Sequence, residues 1–404
     1  MKKEMKKVPV VRFKGFTSDW EQRKLSELAI FSKGIGYSKS DLRESGTPII
    51  LYGRLYTKYE TVIKDVDTFV EDKTDSIYSK GGEVIVPASG ETAEDISIAS
   101  VVEKPGILLG SDLNIIHPNK KIDSTFLAIS ISNGEPHLDM ARRAQGKSIV
   151  HLHNDDLAQI GLSYPILEEQ RKISRCFSQL DHLITLHQRK SDQLKKLKAY
   201  FLQNLFPDKG EKVPKIRFKG FTDDWEQRKI GDCFTERKES MPKGELLSVT
   251  INEGIKRFSE LERHDSSNQD KSKYKKVCIG DIAYNSMRMW QGASGFSDYE
   301  GIVSPAYTVL KPHDGIDARF VSYLFKTKDL IHVFQINSQG ITSDNWNLKF
   351  PVLSTINIKI PEKIEEQNKI AEFLAKLDNL ITLHQRKLEA LQTLKKFLLQ
   401  NLFV

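Results

Sequence analysis

Three short stretches carry residue types that invite a catalytic or cofactor reading. Residues 141–148 read A-R-R-A-Q-G-K-S, the looser form of a phosphate-binding loop in which backbone amides and Lys147 would hold a nucleotide. Such a loop must leave a strand and open a helix so that its amides converge on phosphate. Here helix-like runs at 126–132 and 138–144 precede it and strand-like Ile149, Val150, His151 and Leu152 follow, so nucleotide binding by this chain is not expected. Gly34 and Gly36 resemble the glycine turn of an adenosylmethionine site, but no two prolines are adjacent, so the N-P-P-Y or D-P-P-F grip of a base-methylating enzyme is absent. His151 and His153 could share a strand face as metal ligands. No carboxylate or cysteine is spaced to complete a site, and the aligned positions of the second half are Asn345 and Asn347. Ordinary strand histidines are the expectation, with no catalytic and no metal-binding residue assigned.

Polar and aromatic loops offer a different chemistry, the reading of bases. One stretch of the second half gathers Asn285, Ser286, Arg288, Trp290 and Gln291, and another Gln339, Thr342, Asn345 and Trp346. The corresponding loops of the first half hold Ser89, Gly90 and Thr92, and then Arg142, Arg143, Gln145, Lys147 and Ser148. Arginine can grip guanine, and asparagine or glutamine adenine, through paired hydrogen bonds, while hydroxyls and lysines hold phosphates. All seventeen residues are candidates for DNA contact. The alternative for each is a structural turn or a core tryptophan.

The elements that must position these loops come from an internal repeat. Residues 8–25 match 213–230 at 14 of 18 positions, and a second pair, 167–206 and 364–403, which shares E-E-Q, L-I-T-L-H-Q-R-K and Q-N-L-F, closes each half. The segments between, 26–164 and 231–360, share little, so a duplicated framework holds two divergent inserts. The end of the second half stands to the start of the first as Phe206 stands to Val213, which implies a circular, pseudo-twofold arrangement of helix and head.

No proline or glycine interrupts 167–206, Glu168 and Glu169 suit the positive end of a helix dipole, and Pro207 stops the run. A heptad stripe runs through Ile173, Phe177, Leu180, Ile184, His187, Leu194, Leu197 and Phe201. Its counterpart runs through Ile370, Phe373, Leu377, Ile381, His384, Leu391, Leu394 and Leu398. Two helices of ~40 residues, each ~60 Å long, are expected to pair through these residues as an antiparallel coiled coil, with His187 and His384 as polar register-setters.

Composition fits a large intracellular protein. The 404 residues, 39% hydrophobic and 28% charged, allow two or three units of about 100–200 residues. Cys176, Cys233 and Cys278 form neither a disulfide framework nor a zinc knuckle. No apolar signal core follows the basic start and no run reaches the ~18 residues of a membrane span, so a cytoplasmic location without membrane contact is expected. A net charge of +7 favours a polyanionic partner, nucleic acid first.

The two variable inserts, the helix starts Glu168-Glu169-Gln170 and Glu365-Glu366-Gln367, and the R-F-K-G-F and D-W-E-Q-R-K openers together resemble the specificity subunit of type I restriction-modification systems. The resemblance covers essentially the whole chain. It implies a mixed α/β fold with target recognition domains at 1–165 and 208–361 and conserved spacer helices at 166–207 and 362–404. It also implies a non-catalytic subunit that reads a bipartite target on double-stranded DNA and docks two DNA methyltransferase subunits. A motor-nuclease subunit would complete the assembly, with S-adenosylmethionine, ATP and Mg2+ held by partners and no cofactor in this chain. Two other readings remain at this point. One is the targeting subunit of a restriction class whose partner fuses methylation and cleavage, and the other a coiled-coil scaffold that targets nothing.

Overall fold

Strands buried on both faces send alternate side chains to opposite sides, and this period of two builds both halves of the molecule. A computed structural model describes residues 8–404 apart from 147–148, 252–253, 262–263, 266 and 341–345. It divides into two compact units, the first made of residues up to 188 together with 386–404, the second of 189–385.

The first unit has a five-stranded sheet in the order Ala29–Lys33, Leu113–Pro118, Glu83–Pro87, Ser100–Val102, Val62–Ile63. The second has a four-stranded sheet in the order Phe234–Glu236, Tyr307–Pro312, Ile282–Asn285, Ser294–Phe296, with the same connectivity through its four strands. In the first, Val84, Val86 and Ile116 face one core with Trp20 and Phe126, while Ile85 and Ile115 face another with Ile50 and Leu109. In the second, Ile282, Tyr284 and Leu310 join Trp225 and Phe320, while Ala283 and Val309 join Leu247 and Ile255. A mixed α/β fold is thus built twice. In each unit a short antiparallel ribbon, Glu21–Lys24 with Gly161–Tyr164 and Glu226–Lys229 with Asn357–Ile360, delivers the chain to a long helix.

The long helices are Leu167–Asn204 and Ile364–Asn401, 38 residues each, with two glutamates in the first turn of both. Each unit contains half of each helix, and within each unit the halves run antiparallel. In the first, Phe177 meets Phe403 and Asp181 takes Lys395 at 2.5 Å. In the second, Lys198 reaches Asp378 at 2.6 Å and Phe201 meets Phe373 edge-on. Ile173, Phe177, Leu180, Leu194, Ile370, Leu377 and Ile381 are buried, and Phe201, Phe373, Leu391 and Leu398 pack partly buried against the same cores. Ile184, His187 and His384 are half-buried. Leu197 and Leu394 depart from the seam expectation, standing 42% and 45% exposed. A straight helix drifts ~20° per heptad against a strict seven-residue count, and beside Leu197 the inter-helix position is taken by Lys198.

The repeated openers and helix starts form a clamp. Arg12 donates Nε and Nη2 to the two oxygens of Glu169, both at 2.8 Å, and a third bond to the Ser18 carbonyl at 2.7 Å. Arg217 does the same to Glu366 at 2.7 and 2.9 Å and to the Asp223 carbonyl at 2.7 Å. The side-chain bond to the carboxylate holds each guanidinium above its usual value. The next glutamine is equally duplicated. Gln170 bonds Pro165, Lys121 and Asp123, and Gln367 bonds Pro361, Gly315 and Asp317. Closure is duplicated too, since Val11 N donates to Asn401 O and Ile216 N to Asn204 O, both at 2.9 Å. Trp20 then meets Phe403 edge-on as Trp225 meets Phe206.

Candidate nucleic-acid interface

In both units the loop that follows a central strand, Glu83–Pro87 or Ile282–Asn285, is hydrogen-bonded to the loop that follows a helix, Gly134–Arg143 or Lys328–Asn337. In the first, Leu152 N donates to Ala88 O at 3.0 Å, and in the second Leu348 N donates to Ser286 O at 2.8 Å. The second loop is closed at its neck by a reciprocal backbone pair, Gln145 with His151 and Gln339 with Asn347. This neck corrects one alignment: the counterpart of His151 is Asn347 and not Asn345, because the second unit's loop is two residues longer. His153 is also not in a strand. It caps helix Asn154–Ala158, and its ring stacks on His151 with centroids 6.4 Å apart.

In the first unit Ser89 and Gly90 form a two-residue strand with Val150 and His151, and both are buried. They form the floor of the surface and present nothing themselves. Thr92 is exposed, and its Oγ accepts from Asp95 N at 3.0 Å to cap helix Ala93–Ile96. Arg142 and Arg143 end helix Gly134–Arg143, bonded to Glu135 at 2.8 Å and Asp139 at 3.2 Å. Arg142 and Gln145 are exposed, while Lys147 and Ser148 lie outside the described residues.

In the second unit Asn285 ends its strand and accepts Met287 N at 3.0 Å, and Ser286 is buried with its hydroxyl on Ala306 O at 2.8 Å. The loop then makes a 3-10 turn at Met289–Gln291 that ends on Gly292, whose φ of 80° is the left-handed conformation glycine adopts without strain. Arg288 is exposed and donates to Gln291 at 3.3 Å. The rings of Trp290 and Trp346 meet edge-on with centroids 5.2 Å apart, so the two loops share one aromatic surface flanked by Met287, Arg288 and Gln291. Gln339 is exposed at the neck, and Thr342 and Asn345 lie outside the described residues.

Sequence reading missed the first unit's aromatic component. Tyr52 and Tyr56 are exposed and meet edge-on, and Tyr56 Oη donates to Ser89 O at 2.7 Å over the buried floor. Burial pushes the Tyr56 phenol up, so it stays a neutral donor. Tyr56 lies on helix Arg54–Thr57 and Tyr52 in the turn just before it, so no helix or strand period announced the pair. Guanidinium, amide and aromatic groups of these kinds can bond base edges and stack on bases. Among the described residues, no group of three or more His, Cys, Asp or Glu is placed to hold a metal ion, and no helix is long and apolar enough to cross a membrane.

The sequence model described as type I restriction modification DNA specificity domain matches residues 17–196 and again 222–393. The type I restriction enzyme MjaVIII specificity subunit of Methanocaldococcus jannaschii is 24% identical over 400 residues, covering 94% of this chain and 90% of that protein. The crystal structure of the type I restriction-modification system S subunit from M. genitalium aligns with a TM-score of 0.64 over 98% of this chain and 99% of that one. At 14% identity this likeness speaks to the fold alone.

Proposed function

Since the chain belongs to the type I restriction-modification DNA specificity family, we propose that each unit reads one half of a divided target on double-stranded DNA. One observation carries the reading: the joint between the two loops is the same in both units, Leu152 to Ala88 and Leu348 to Ser286, while the side chains beyond it differ. A shared joint with dissimilar tips is what two readers of different sequences on one scaffold require, because base contacts are local and phosphate contacts are generic.

The long helices set the unread spacer between half-sites, which lie about one helical turn, ~34 Å, apart when both readers meet one face of the duplex. Within each unit one ion pair ties the two helices, Asp181–Lys395 in the first and Lys198–Asp378 in the second.

The same helices dock two DNA methyltransferase subunits, one on each unit. Leu183, Leu186, Leu394 and Phe397 are exposed on the first unit, and Leu197, Tyr200, Leu380 and Leu383 at the equivalent places on the second. Such paired apolar sets support two copies of one partner. The partners supply S-adenosylmethionine-dependent methylation and, through a motor-nuclease subunit, the ATP- and Mg2+-dependent steps. This chain supplies the address and performs no catalysis.

Co-expression with candidate modification subunits, followed by single-molecule sequencing of methylated DNA, tests the reading. A two-part motif with an unread centre is expected. Inserting one heptad between Asp181 and Lys198 with a matching heptad between Asp378 and Lys395 should lengthen that centre and leave both halves alone. A continuous motif, or a spacer that ignores the insertion, rejects the proposal, and methylation that does not depend on this chain returns it to a scaffold.

A further inference from the structure

Lys326 lies two residues past helix Ala318–Leu324 and turns its side chain into the second unit. Its ammonium donates to Ile251 O at 2.9 Å, at the turn of the hairpin Leu247–Thr250 and Gly254–Arg257, and to the carbonyl of Gly292, the residue that ends the 286–292 loop. A Cβ on Gly292 would stand 3.4 Å from Ile331 Cδ1 and 3.8 Å from Lys326 Cδ, so the lysine stem packs beside the glycine. One cation thus joins the loop, the hairpin and the helix end. Behind it, Tyr323 Oη donates to Asp378 at 2.8 Å, and Asp378 also takes Lys198. Lys198 and Asp378 are the charges that face Lys326. Burial brings the amine down to about 8, which still leaves it charged near neutral pH.

The first unit solves the same problem with a neutral group. Asp123 and Asp317 cap corresponding helices, and nine residues beyond each cap (132 − 123, 326 − 317) stand Ser132 and Lys326. Ser132 Oγ accepts Ala99 N at 2.8 Å, just before strand Ser100–Val102, as Gly292 lies just before Ser294–Phe296. Each unit therefore ties the returning limb of its first loop to the same helix end, by a hydroxyl in one and an ammonium in the other.

We propose that Lys326 is a positioning residue for recognition, fixing the 286–292 loop in the geometry in which Arg288 and Trp290 meet the second half-site. The inference rests on the reading of that loop as a base contact. The test compares the full-length chain, assembled with its modification subunits, with the variant Lys326→Met, which keeps the stem and removes the donor. Hydrogen exchange reports loop order, and selection from a DNA library randomised in both halves reports base preference.

Amide exchange across 286–293 should accelerate roughly tenfold, about the loss of one charge-assisted hydrogen bond. Base preference should relax in the second half-site and hold in the first. Val321→Ala, a cut in the buried face of the same helix, should lower stability without moving that preference. Unchanged exchange at 286–293 overturns the proposal, as does an equal loss at both half-sites or a loss that Val321→Ala reproduces. Faster exchange with an intact second half-site rejects instead the assignment of this loop to base contact.

Discussion

Replacing Arg217 with methionine removes one jaw of the clamp and leaves the other in place. Glu366 is 2% exposed and takes the guanidinium at 2.7 and 2.9 Å, with Trp225 Nε1 at 3.4 Å as its remaining side-chain donor. Breaking a buried ion pair from one side costs ~3–5 kcal/mol, because an uncompensated charge stays behind. Arg217 is itself 16% exposed, and water at that edge places the loss near the lower end, ~3 kcal/mol. For a domain of ~150–250 residues this lowers the unfolding temperature by roughly 6–12 °C. Calorimetry of the full chain should show the loss, and the double variant R217M/E366L should recover most of it, since an apolar pair of similar volume has no charge to strand. The matched pair R12M and R12M/E169L should repeat the pattern in the first unit. A change below ~0.5 kcal/mol, the size of an ordinary surface substitution, or a double variant no better than the single one, would refute the reasoning.

Further expectations concern the proposed interface. Arg288→Ala should cost ~1–3 kcal/mol and relax one base position, whereas a uniform loss over all sequences, read by competition binding, would mark a phosphate contact instead. Changing Leu183, Leu186, Leu394 and Phe397 to glutamine should abolish co-purification of one modification subunit while the chain still melts cooperatively, because these side chains stand 38–49% exposed outside the core. If both subunits are still retained, the docking assignment fails. Lys326 gives a pH signature. Its folded value of about 8 lies below the 10.5 of an exposed lysine, so between these values the unfolded chain keeps a proton that the folded chain has released. The stability of the wild type relative to Lys326→Met should therefore rise as pH climbs from about 8 to 10.5. A difference independent of pH in that window would show that the lysine is not held in the depressed state.

Much of this architecture was legible because duplication writes the same residues twice. The two openers, the two E-E-Q starts and the two uninterrupted amphipathic runs gave the helix limits to within a few residues. Why those motifs repeat was not legible. Arg12 and Glu169 are 157 positions apart, and Arg217 and Glu366 149 apart, so nothing local announces a clamp. Heptad counting failed at Leu197 and Leu394 because the true helical period is not 3.5, and the inter-helix contacts there went to Lys198 with Asp378 and to Lys395 with Asp181. In the loops, residue type did not say which atoms face water. Ser89, Gly90 and Ser286 are buried, the Trp290–Trp346 contact joins residues far apart in sequence, and Tyr52 sits in a turn ahead of the four-residue helix that carries Tyr56, so no periodicity reveals the pair.

The most direct test is a domain exchange read by methylome sequencing: residues 231–360 are replaced by the insert of a different specificity chain, with both long helices and both clamps retained. One half of the methylated motif should change, while the other half and the unread spacer stay as they were. A change in both halves, or in neither, would contradict the claim that two separate readers share this scaffold.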